Sequence, residues 1–204
     1  MKKSLALIIE QLESRQTMQA LSPKGVWDAA LDQEIAALPL ITVGTPKSAQ
    51  PALIALKAGL HLLNESLDAS HEQSQEIEDD PTGCYWHGIM HRMEGDFSNA
   101  NYWFSNAGAH PAMESLQTRV ADWLQNSVVL GDLQEGTIRD SLQVMKRQVR
   151  WQASALTGMI ALQESGTISE EARSAIEYVQ HMELMELFAY THQAAKRAVA
   201  ESSI

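Results

Sequence analysis

The chain is poor in three things that would have narrowed its class at once. It has a single cysteine, Cys84. One thiol excludes an internal disulfide framework and a cysteine-only metal site, and it leaves Cys84 as a small residue near a helix start. Positive charge is the second shortage: Lys and Arg number 15 against 26 Asp and Glu, a net charge of -11. Phosphate contacts supply most nucleic-acid affinity, so this balance argues against a nucleic-acid partner, and equally against an anionic membrane surface. Long apolar runs are the third, since no stretch approaches the ~20 residues of a membrane helix. Lys2 and Lys3 hint at a signal peptide, but the run Leu5–Ile9 is short and Glu10 interrupts it. The expectation is a soluble, cytoplasmic protein.

Several catalytic signatures are missing as well. There is no Gly-rich phosphate loop, no nucleophile elbow and no cysteine pair. Ser70 and His71 are neighbours, which does not by itself make a nucleophile and its base.

What is present is helical periodicity over 204 residues that are 45% hydrophobic, enough for one good core and one domain, 1–204. Residues 3–21 carry Leu5, Ile8, Ile9 and Leu12 on one face. A second helix is expected over about 24–37, after Ser22-Pro23. Pro39–Pro51 holds three prolines and one β-prone run, Leu40–Val43, with no partner strand; it reads as an extended connector. Helices follow at Ala52–Asn64 and Leu67–Glu78, then at about 82–94, 97–108 and 111–126. A clean stripe from Ile138 to Met159 predicts one helix over about 137–164. Thr167 and Glu170 fit a capping box for the last, about 168–200. The two long helices are expected to form an antiparallel hairpin. No segment alternates convincingly, so the class is all-α: stacked antiparallel helical hairpins ending in a long C-terminal hairpin.

A weak internal repeat has period 30. Aligning 58–81 on 88–111 matches Ala58 with Gly88, His61 with His91, Leu67 with Phe97, Ser70 with Ala100 and Pro81 with Pro111. The second copy resembles a tetratricopeptide-type unit, because Gly88, Gly95-Asp96-Phe97, Ala100, Phe104, Ala107 and Pro111 follow that spacing. The usual repeat of 34 residues, in threes or more, is not met. The resemblance implies stacked hairpins with a concave face that binds a protein segment. More widely, LDASHEQSQ and YWHGIMHRMEGDFSNANYWF resemble an uncharacterised bacterial and fungal family with a WHxIMHRxEGD-type pattern. That resemblance implies no activity.

The polar residues of Tyr85–Pro111 are where chemistry would sit. His87 and His91 are four apart, hence on one helix face with Cβ atoms ~6 Å apart, a spacing that suits two ligands of one metal ion. Gly88-Ile89-Met90 between them lacks the glutamate base of a zinc-protease helix. A third ligand could come from the preceding hairpin, through Asp68 or His71. The structural alternative is packed, hydrogen-bonded histidines, and of the two it weighs more; no cofactor is favoured over a divalent metal. Arg92 and Glu94 read equally as an anion clamp beside an acid/base or as salt-bridged residues. Asp96 reads as the N-cap of the helix starting at Phe97. Ser98, Asn99 and Asn101 add polar groups that a plain hairpin does not need, and Trp103 is the aromatic expected to line a pocket.

The last helix offers a second place. Glu177 and His181 are four apart, and Glu183 and Glu186 sit among Met182, Leu184, Met185, Leu187 and Phe188. No pair of Glu-x-x-His units accompanies them, so salt-bridged carboxylates are favoured over a carboxylate metal site.

The function expected first is therefore a helical binding module. Its groove around 61–104 would take a protein segment or a small polar ligand through His71, His87, His91, Arg92, Glu94, Asn99, Asn101 and Trp103. Self-association into a homo-oligomer would use the C-terminal hairpin. The rival is an enzyme or metal-binding protein whose site gathers His71, His87, His91, Arg92 and Glu94.

Overall fold

A computed structural model describes residues 3–134, 136–164, 166 and 169–201. These form α1 (Leu5–Glu13), α2 (Ala29–Ala36), α3 (Gln50–Leu63), α4 (Leu67–Gln75), α5 (Pro81–Glu94) and α6 (Phe97–Ala107). There follow α7 (Ala112–Asn126), α8 (Val129–Asp132), α9 (Thr137–Arg147), α10 (Ala153–Glu164) and α11 (Glu170–Glu201). No strand occurs among the described residues, so the chain is all-α. None of these helices is long and apolar enough to cross a membrane.

The centre of the molecule is a pair of consecutive hairpins, α3–α4 and α5–α6, with α4 also against α5. Both turn in the same way. At the end of α5, Gly95 has φ 94° and Asp96 N–H donates to His91 O at 2.9 Å. Thirty residues earlier, Glu65 has φ 59° and Ser66 N–H donates to His61 O at 2.9 Å. This is a left-handed helix C-cap made twice, once with glycine and once without it. Glu65 is held there by its side chain, which pairs with Arg15 at 3.1 Å and accepts from Ala20 N–H at 2.7 Å.

Close approach between helices relies on small residues. A Cβ on Gly88 would lie 2.5 Å from Phe104 Cδ1, so α5 and α6 meet at a distance only glycine permits. A Cβ on Gly59 would lie 2.7 Å from Trp86, which is buried and donates to Thr191 Oγ1 at 3.1 Å. The long α11 thus runs along α3 and α7 and closes on α10, covering the hairpin pair from the side.

Three helices differ from the expected spans, each for a tertiary reason. The first ends at Glu13 rather than near residue 21, since Arg15, Gln19 and Ala20 turn toward Leu63 and Glu65 at the end of α3. The second begins at Ala29 rather than 24, because Trp27 and Asp28 pair with Asn64 and Asp28 then caps α2. The expected helix over 137–164 is two, α9 and α10, broken at 148–152 where Trp151 turns inward and is 4% exposed. The hairpin that follows is therefore α10–α11. Pro39–Pro51 connects two helices, but through turns rather than in the extended form expected: Thr45 N–H donates to Thr42 O at 2.9 Å and Ala49 N–H to Pro46 O at 3.0 Å, and α3 already starts at Gln50. The Thr167 half of the expected capping box lies outside the described residues; nearby, Ser169 Oγ accepts from Ala172 N–H at 3.3 Å.

Candidate functional site

α5 presents different chemistry on two faces. On the first, His87 and His91 stand one turn apart and meet His71 from α4. Ring centroids are 4.8 Å apart for His71–His87, 5.0 Å for His71–His91 and 4.8 Å for His87–His91. One nitrogen from each of the three lies within 4.8 Å of the others. His87 and His91 are buried and His71 is half-buried, so the cluster reaches the surface on the α4 side.

Each ring is fixed differently. His87 lies between His91 and the indole of Trp103, whose centroid is 4.0 Å away in a near-parallel stack. Neither His87 nitrogen has a hydrogen-bond partner, although the residue is only 2% exposed. A buried imidazole left without partners is costly. Burial, and then the neighbouring His91 and His71, push its pKa down to about 3, so it is a neutral ring with a free lone pair at physiological pH. His91 is held at both ends: Nδ1 faces Glu94 Oε2 at 3.1 Å, and Nε2 faces Asn99 Nδ2 at 3.0 Å. Burial lowers the His91 pKa and the bond to Glu94 partly offsets that. A neutral His91 therefore donates Nδ1–H to Glu94 and accepts at Nε2 from the Asn99 amide.

On the second face, Arg92 is fully buried and ion-paired to Glu183 of α11, itself fully buried. The same carboxylate accepts from Tyr85 Oη at 2.9 Å and from Trp151 Nε1 at 2.9 Å. Burial, with Glu183 beside it, pushes the Tyr85 phenol well above its ordinary pKa, so it stays a donor. The Arg92 guanidinium also lies 5.4 Å from the Phe104 ring centroid. His91 and Arg92 are neighbours in sequence, yet they serve separate clusters.

The expected site residues thus divide. His71, His87, His91, Asn99, Trp103 and, at its exposed edge, Glu94 come together. Arg92 does not join them. Asp68 and Asn101 are exposed, and Asp68 is outside the histidine group. Asp96 caps α6 through Asn99 N–H at 3.1 Å. Cys84 is buried, with Sγ donating to Glu78 O at 3.0 Å. On α11, Glu177 pairs with Arg173, Glu186 pairs with Arg119, and His181 faces Gln19, so none of them shares a site with another. Trp151 was hidden in the sequence, because within one continuous helix it would have had no reason to reach Glu183.

No protein-family model matches this chain, and no curated protein or solved structure matches it. The residues themselves are all that speaks for function. Three imidazoles with converging nitrogens are the donor set of zinc, copper, iron or nickel sites rather than of magnesium or calcium. Glu94 behind His91 is the outer carboxylate that commonly fixes a ligating histidine's tautomer. Ligands ~2.0–2.1 Å from an ion lie about 3 Å apart, so nitrogens as much as 4.8 Å apart require the rings to tilt out of their stack and close in by up to about 1.8 Å. Side-chain torsions supply that movement.

Proposed function

We propose that this protein binds one divalent transition-metal ion through His71, His87 and His91. The observation that carries the reading is His87: buried, neutral, without a hydrogen bond, and facing two other imidazoles. An ion between the three rings turns an unsatisfied buried group into a ligand. Three neutral ligands leave the ion's charge uncompensated, which supplies Lewis acidity toward whatever occupies the remaining positions. Half-buried His71 puts that open side toward solvent.

The test is metal analysis of the purified full-length protein made without an affinity tag that binds metal. Roughly one equivalent of zinc, iron, copper or nickel per chain is expected, with loss of nearly all of it in His87→Ala and His91→Ala. A wild-type protein with no stoichiometric metal, before and after incubation with these ions, removes the reading.

A binding module for a protein segment is the second reading. It is favoured by the turn repeated at Glu65 and Gly95 and by the tetratricopeptide-like spacing of Gly88, Ala100 and Phe104. Tyr102, 59% exposed and next to Trp103, is the side chain such a segment would meet. The two readings separate cleanly: segment binding would survive His71→Ala, whereas metal binding would not.

A further inference from the structure

We propose that Asn99 competes with the metal ion for His91, so that the empty site closes on itself and ion binding expels the Asn99 amide. Resting on the three-histidine reading, this makes Asn99 the residue that sets the affinity of the site.

The three rings are not equally available. Neither nitrogen of His87 has a hydrogen bond, whereas both nitrogens of His91 are engaged. A carboxylate only accepts, so Glu94 Oε2, 3.1 Å from Nδ1, requires the His91 proton there. The lone pair is then on Nε2, and the group that donates to it, at 3.0 Å, is the Asn99 amide nitrogen. An ion bonded to Nε2 at ~2.0–2.1 Å would lie on the same line, about 1 Å short of where the amide nitrogen now stands. Turning the amide about its last torsion does not relieve this, because the oxygen would take the nitrogen's place. The whole carboxamide must swing aside on its inner torsions. Asn99 is half-buried in the first turn of α6, so solvent is within reach of that swing.

Glu94 has the opposite part. Its bond to Nδ1 is charge-assisted, roughly twice as strong as a neutral one. It survives coordination at Nε2, where it makes the imidazole a better donor. One neighbour of His91 therefore favours the ion and the other opposes it. A neutral hydrogen bond shifts an equilibrium by about two- to twelvefold, and apparent affinity falls with the fraction of molecules whose Nε2 is free. Asn99 imposes a reduction of that order.

The experiment titrates Co²⁺ into wild-type, Asn99→Ala and Glu94→Ala proteins, following the visible d–d bands, with thermal melts of the metal-free proteins as the folding control. Competition predicts binding about two- to twelvefold tighter than wild type in Asn99→Ala, and weaker binding in Glu94→Ala. A disturbed fold weakens binding, so a gain at Asn99 reports displacement rather than damage. In parallel, ¹⁵N NMR of the wild type follows the Asn99 side-chain amide during Zn²⁺ addition, and its signals should move to those of a solvated carboxamide at one equivalent. Unchanged or weaker affinity in Asn99→Ala, or an Asn99 amide undisturbed by saturating Zn²⁺, overturns the proposal. So does tighter binding in Glu94→Ala, which would put the ion on Nδ1. Absence of Co²⁺ binding in wild type and variants alike defeats the three-histidine reading itself, and this inference with it.

Discussion

Arg92 and Glu183 lie 91 residues apart in the chain and meet with no solvent access to either side chain. The pair ties α5 to α11, and the other two donors to Glu183 bring in Tyr85 and the break at Trp151. Breaking such a pair by removing one partner leaves an uncompensated buried charge, a loss of about 3–5 kcal/mol. Glu183→Leu and Arg92→Met should each destabilise by that order in urea unfolding. The double variant should lose clearly less than the sum of the two. Additive losses would mean that the residues do not interact as their geometry says.

The two hairpin turns make a matched comparison. Gly95→Ala forces a Cβ into the left-handed region and should cost about 1–2 kcal/mol. Glu65→Gly removes the same strain from the earlier turn but strips Arg15 of its carboxylate and Ala20 N–H of its acceptor. An unsatisfied, nearly buried group costs about 1–3 kcal/mol, so the expected net is a loss of roughly 1 kcal/mol. Arg15→Met with Glu65→Gly should recover part of it. Chemical denaturation of the four proteins gives the answer, and a stabilised Glu65→Gly would show that strain outweighs the ion pair.

Acid sensitivity should have a contribution from His110. The ring is buried against Tyr85 and Tyr190, with Nε2 facing Thr82 Oγ1 at 3.2 Å and Nδ1 accepting from Ala112 N–H at 3.2 Å. Burial lowers its pKa to about 4, against the opposing charge of Asp80. In the unfolded chain the value returns to about 6.5. Between these pH values the unfolded state binds the extra proton, so stability rises with pH. The contribution is complete above about pH 6.5 and is lost as pH falls toward 4. Melting curves from pH 7.5 to 4.5 should show a shallower decline in His110→Gln than in wild type. Parallel curves would exclude His110 as a source of the decline.

Much of this was readable from residue spacing. The period of 30 anticipated that His61 and His91 hold equivalent places, and the structure gives them the same turn, with Glu65 in the position of Gly95. Four-residue spacing put His87 and His91 on one face, and Gly88 marked the contact with Phe104. Local pattern could not show that Arg92 leaves that neighbourhood for Glu183, because the partner is on a distant helix. It also missed the end of α1 and the break between α9 and α10. In both, long-range hydrogen bonds, to Glu65 and to Glu183, outweigh continued helical periodicity.

The ion pair at Arg92 also decides which wall of the histidine cluster can give. Successive residues of a helix are turned by about 100°, so rolling α5 to open the His87–His91 face would drag the guanidinium off Glu183. That helix is a fixed rail. Opposite it, α4 is nine residues long and buries only Ser70 and Ser74, with Leu67 half-covered. Segments with so little apolar burial open at low free energy. His71 therefore stands on the wall of the cluster with the less apolar anchoring, and His87 and His91 on the wall tied to Glu183 through Arg92.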